Sequence, residues 1–168
     1  RLTVLDCCAN ELASLPPLPV ALEELTCLDN NLAALPAPLP PNLRHLGCRE
    51  NKLRRLPDLP RTLESLACDD QENGMEELPA LHDTALETLT CENNGLRTLP
   101  DLPAPLLELV CNRNDITSMP ELPGRLRELD CDEGLLDGVE RPPSLRRCAV
   151  FKSNGKCKLE VCNPGHYQ

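Results

Sequence analysis

Aromatic side chains are almost missing from this chain of 168 residues, which has one Phe, one Tyr and no Trp. Each large ring buries roughly 150–250 Å², so their absence excludes a globular core built around aromatic anchors. No run of 18 or more apolar residues occurs, and nothing in the chain reads as a membrane span or, ahead of the first repeat, as a signal peptide. A G-x-S-x-G elbow and a phosphate-cradling glycine loop are also lacking, and the three histidines, His45, His82 and His166, are scattered. Without such a constellation, no catalysis, cofactor or metal is expected of this chain.

Positive charge is scarce as well. The formal net charge is −10; residues 144–168 hold five basic side chains against Glu160, which leaves −14 on residues 1–143. That balance disfavours nucleic acid and anionic membrane and favours a basic protein surface or peptide as partner.

What the chain does contain is one sentence written repeatedly. The stretches LTVLDCCAN, LEELTCLDN, LRHLGCREN, LESLACDDQ, LETLTCENN, LLELVCNRN and LRELDCDEG start at Leu2, Leu22, Leu43, Leu63, Leu86, Leu106 and Leu126, and a degenerate eighth starts at Leu145. The spacings of 20, 21, 20, 23, 20, 20 and 19 residues are those of a solenoid. In L-x-x-L-x-C the second leucine and the cysteine alternate with other residues, which predicts a short strand pointing these two inward. Asn10, Asn30, Asn51, Asn94 and Asn114 follow at the turn, where an amide can bond backbone groups that the bend leaves unpaired. The LPxLP segment then returns the chain. Proline fixes φ and donates no hydrogen bond, so this side is expected to be extended, close to polyproline II. One such coil cannot bury its apolar edge alone, whereas stacked coils can. The organisation expected is a single solenoid of about eight coils, with seven clear repeats over 1–143 and a degenerate last repeat and C-terminal cap over 144–168. Because the chain starts inside a repeat and without Met, it is expected to be part of a longer protein.

Seven of the eleven cysteines, Cys7, Cys27, Cys48, Cys68, Cys91, Cys111 and Cys131, occupy one repeat position. Equivalent positions on adjacent parallel strands lie about 4.8 Å apart, but neighbouring side chains run parallel, which suits disulfide geometry poorly. They are read as a packed ladder of small reduced thiols. In the tail, Cys157, Cys162 and His166, with Cys148 nearby, are ligand types for zinc, but C-x4-C-x3-H fits no tight knuckle, and a metal-free cap is expected. Cys8 falls at an outward position of the first strand. The insertion QENGMEE, Gln71 to Glu77, lengthens the fourth coil and is expected to form a loop on one edge.

With Leu and Cys inward, one outward column reads Val4, Glu24, His45, Ser65, Thr88, Glu108, Glu128, Arg147 and the next Asp6, Thr26, Gly47, Ala67, Thr90, Val110, Asp130, Ala149. Gly47 and Ala67 suggest a shallow floor flanked by His45 and Arg49. Acid gathers toward the C-terminal half. The candidate binding residues on this concave face are therefore His45, Arg49, Asp69, Glu92, Glu108, Glu128, Asp130, Asp132 and Glu133.

The LPxLP return, the 20-residue period and the strand-turn-Asn signature resemble the leucine-rich repeats of bacterial secreted effectors, the group of the IpaH-type ubiquitin ligases and YopM. The resemblance covers roughly Leu2 to Pro143. It implies a leucine-rich-repeat horseshoe whose concave sheet recognises a host protein, delivered by type III secretion as a virulence factor into the reducing host cytoplasm and acting as a monomer. In the ligases this domain chooses the substrate for a separate catalytic domain, so one alternative is the targeting half of an E3 ubiquitin ligase; another is a structural or adhesive repeat protein. The ligases' nucleophile sits in a Cys-x-Asp motif, which Cys27-Leu28-Asp29 and Cys68-Asp69-Asp70 match as strings. Both cysteines belong to the inward ladder, where a thiol is a poor nucleophile.

Overall fold

A computed structural model describes residues 1–152 and 156–160, the last two by their backbone alone. Each coil contributes one short strand: β1 (Val4–Asp6), β2 (Glu24–Thr26), β3 (His45–Gly47), β4 (Ser65–Ala67), β5 (Thr88–Thr90), β6 (Glu108–Val110), β7 (Glu128–Asp132) and β8 (Arg147–Phe151). These eight pair in parallel in sequence order, and β9 (Cys157–Glu160) joins the sheet antiparallel to β8. The register sets Val4, Glu24, His45, Ser65, Thr88, Glu108, Glu128 and Arg147 side by side, the first outward column read from the sequence. None of the described returns is helical. The architecture is a leucine-rich-repeat solenoid with its parallel sheet on the concave side.

The leucine that opens each coil, the strand leucine and the ladder cysteine are buried from the second coil onward. Two further leucines after the turn complete a continuous apolar column, for example Leu32 with Leu35 and Leu53 with Leu56. The prolines serve the return in a specific way. The carbonyls of Pro19, Pro40, Pro60, Pro103, Pro123 and Pro142 each accept a hydrogen bond from the amide of the leucine three residues on, at 3.0–3.1 Å, which closes the turn into the next strand. The fourth coil has Leu81 at that place, and Thr84 donates to its carbonyl through both its amide and its hydroxyl.

The insertion differs from the expectation. Gln71 is buried and takes the turn-amide role, and Met75 is wholly buried in the place of a core leucine. Glu72, Asn73 and Gly74 bulge between them, with the Gly74 amide bonded to the Gln71 carbonyl at 2.8 Å. The extra chain is thus a short turn between two core residues and not a free loop from 71 to 77.

The residue before the turn amide has positive φ in six coils: Ala9, Asp29, Glu50, Asp70, Asn93 and Arg113, all between 51° and 58°. In these six coils the left-handed residue stands three positions after the strand ends, and its amide still reaches the next coil, as Asp29 does to the Arg49 carbonyl at 3.1 Å. Asp and Asn tolerate this region; Ala, Glu and Arg pay about 1–2 kcal/mol there. Glu50→Gly is therefore expected to be neutral or stabilising by up to about 1 kcal/mol, and Glu50→Val to destabilise by about 1–2 kcal/mol. Urea denaturation of the two variants checks this, and the reverse order would show that the left-handed turn is not strained.

Candidate recognition surface

The turn amides hold the concave face in place. Asn51 Nδ2 donates to the carbonyls of Cys48 and Arg49 in its own coil at 3.2 and 3.0 Å and to Cys27 of the preceding coil at 2.9 Å, while its Oδ1 accepts from the Leu32 amide at 3.0 Å. Asn30 and Asn114 repeat this pattern, and Gln71 repeats it from a coil with the longer turn. In the seventh coil Gly134 stands after the left-handed position, and Asp132 takes over the backbone. Its two carboxylate oxygens accept from the amides of Arg113 and Asn114 at 2.9 and 3.2 Å.

The ten described cysteines are all thiols. Those of Cys7, Cys27, Cys68 and Cys91 point at the carbonyl of the residue preceding the next ladder cysteine, at 3.4–3.5 Å. The same carbonyl accepts the backbone amide of the same cysteine at 2.8–2.9 Å. Burial raises the Cys27 thiol to about 12 and drives Cys48 and Cys91 well above their ordinary value. Cys68 belongs to this buried set and is raised for the same reason, so neither Cys-x-Asp string presents a thiolate. Cys157 is exposed on β9; Cys162 and His166 lie outside the described residues.

The candidate binding residues fall into three situations. His45 is exposed on β3. The floor expected at Gly47 is narrowed by its neighbour: a Cβ there would meet Leu28 Cδ1 and Thr26 Cγ2 at 3.4 Å, so the glycine makes room for the Leu28 side chain.

Arg49, Asp69 and Glu92 form a polar stitch across coils three to six. Asp69 is 3% exposed. Its Oδ2 lies 2.5 Å from Arg49 Nε and accepts from the Thr90 hydroxyl at 2.7 Å, and its Oδ1 accepts from the Glu92 amide at 2.8 Å. Arg49 Nη2 donates to Thr90 Oγ1 at 2.8 Å, and Asn112 Nδ2 to Glu92 Oε2 at 3.0 Å. Asp69 is thus an internal anchor whose lone pairs face the protein. Arg49→Met would strand this carboxylate and is expected to cost about 3–5 kcal/mol. Asp69→Asn would leave a half-exposed guanidinium that can turn to water, at about 1–2 kcal/mol. Denaturation of both variants checks the order; equal and small losses would make the pair a solvated surface contact.

The acids of the seventh coil are the third group. Arg147 of the eighth coil places Nη1 3.2 Å from Glu128 Oε2 and 3.3 Å from Asp130 Oδ1, with Nη2 donating to Asp130 Oδ2 at 3.3 Å. The Asp130 carboxylate, with the others, holds the Arg147 guanidinium above its ordinary pKa. Lys152 lies 3.2 Å from Glu133. Glu108 faces a hollow of about 220 Å³ shared with Arg49, Asp69, Asp70, Thr90, Glu92 and Val110.

No family model and no curated protein matches this chain. Solved structures do. YopM from Yersinia enterocolitica is 37% identical over 90% of this chain, with a TM-score of 0.83, and a YopM described as a leucine-rich effector protein from Yersinia pestis is 29% identical over 86%, with a TM-score of 0.60. The chain spans 34% of the first and 48% of the second. Repeat, register and likeness together show a leucine-rich-repeat solenoid of the protein-interaction kind, similar over its matched length to the repeats of these YopM proteins.

Proposed function

We propose that the concave sheet binds a basic surface or peptide of a host protein, in an effector that a bacterium secretes into the host cytoplasm. The chain acts as a monomer and by binding, with no chemistry of its own. The observation that carries this reading is the excess of acid: −14 over residues 1–143, presented in part on an in-register sheet with no helix across it among the described residues. Such a field speeds encounter with Lys- and Arg-rich surfaces. A ladder of buried thiols that needs no oxidation suits a reducing compartment.

The test is site-specific photocrosslinking in host cytosol, with the reactive group placed at concave Ser65 or Thr88 and at Asp58 or Asp101 in the proline-rich returns. Discrete adducts from Ser65 and Thr88 only are expected, falling in yield as salt rises from about 0.05 to about 0.3 M. Adducts from Asp58 and Asp101 alone would move recognition to the convex side, and salt-independent adducts would remove the basic partner.

A further inference from the structure

The acids on the concave face are not equivalent, because most of them are already in use. Glu128 and Asp130 hold Arg147, Asp132 holds two backbone amides, and Glu133 holds Lys152. The eighth coil supplies to the seventh the cation that a partner would otherwise bring. Glu108 is different. Its neighbour in register is Glu128, so Glu108 lies two strands and about 10 Å from the Arg147 strand, and its carboxylate meets no donor among the described residues.

Resting on the reading of a basic partner, we propose that docking is centred on coils four to six, where an arginine of the partner seats its guanidinium between Glu108, Glu92 and Asp70, and not on the seventh coil. Asp70 spends Oδ1 on Asn93 at 2.6 Å and Glu92 spends Oε2 on Asn112, which leaves one oxygen of each for a new donor. Arg49 brings little competing charge, since Asp69 is bound to it at 2.5 Å. Behind Glu92, Asn112 is wholly buried, with its Nδ2 donating to Glu92 and its Oδ1 without a donor among the described residues. The hollow measures about 220 Å³, less than the roughly 300–1,000 Å³ of small-molecule pockets but room for one long side chain. Val110 gives the arginine stem an apolar contact. A planar fork bridges separate carboxylates better than an ammonium, as Arg147 does between Glu128 and Asp130.

The test is a titration of isotope-labelled protein with a blocked Gly-Arg-Gly-Arg-Gly peptide, followed by amide chemical shifts, with the citrulline peptide as neutral control. Saturable shifts are expected at Thr90, Glu92 and Val110 with the arginine peptide alone. Glu108→Gln should weaken binding about five-fold, the loss of one charge-assisted contact, while Glu128→Gln leaves it unchanged; preserved spectral dispersion shows that both variants fold. Shifts confined to Glu128, Asp130 and Arg147, or a Glu108→Gln variant that binds as tightly as the parent, would overturn the assignment to coils four to six and leave the basic-partner reading standing. Absence of any shift up to about 10 mM peptide, or equal shifts with citrulline, would remove the basic-partner reading and this site with it.

Discussion

Asn51→Ala is expected to lower the unfolding free energy by about 3–5 kcal/mol, and Asn10→Ala by less than about 1 kcal/mol. The two asparagines occupy the same repeat position and differ only in neighbours. Asn51 is 1% exposed and serves three carbonyls and one amide in two coils. Truncating it leaves buried groups without partners, each worth about 1–3 kcal/mol, partly offset by relaxation. Asn10 is exposed and its side chain donates only to the Cys7 and Cys8 carbonyls of its own turn, where water replaces it. Asn51→Asp is the sharper variant. A carboxylate keeps the shape but cannot donate, and it faces carbonyl oxygens in a dry site. It is expected to be at least as damaging as alanine near neutral pH and to recover as the pH is lowered and the acid protonates. Urea midpoints for the three variants decide the matter; similar losses at positions 10 and 51 would mean that the amide acts within its own turn and does not tie coils together.

The same contrast shows what the sequence could and could not disclose. The outward columns were legible because a strand has a period of two and the repeats align on leucine, and the pairing of Glu128 with Arg147 follows that alignment residue for residue. Asn at the turn was legible because its chemistry is specific. Gln71 in the same role was not, since its extra methylene matters only when two additional turn residues have moved the neighbouring backbone. The left-handed residue was half signalled, by Asp29, Asp70 and Asn93, and hidden at Ala9, Glu50 and Arg113, where the fold overrides local preference. Among the acids the sequence gives charge but not occupancy. Asp69 and Asp132 read as ligands for a partner, yet their oxygens are turned to Thr90, to Arg49 and to backbone amides. Only the three-dimensional accounting of lone pairs separates them from Glu108.

Stability is also expected to collapse steeply above pH 9. Burial raises the thiols of Cys27, Cys48, Cys68, Cys91 and Cys111, and at Cys131 a hydrogen bond with the Cys148 thiol does so first, with burial adding to it. In the unfolded chain these thiols ionise near the ordinary value of 9.0, whereas Cys27 in the fold holds its proton to about 12. Above pH 9 the unfolded state therefore binds fewer protons than the folded state, and stability falls as pH rises. The stabilisation is complete below the unfolded value and is lost through the interval up to the folded one. Each thiol contributes a slope of about 1.4 kcal/mol per pH unit, so six together remove most of the 5–15 kcal/mol typical of a domain within about one to two units. Lysine and tyrosine also titrate there, which makes the comparison with a variant decisive. Cys48→Ala with Cys91→Ala is expected to be less stable than the parent at pH 7, because two buried sulfurs are lost from the ladder. Between pH 9 and 10.5 its stability should fall less steeply, by about 2.7 kcal/mol per unit, so that the gap between the two proteins narrows. Parallel curves over that range would show that the ladder thiols ionise in the native protein, and the dry column would have to be given up.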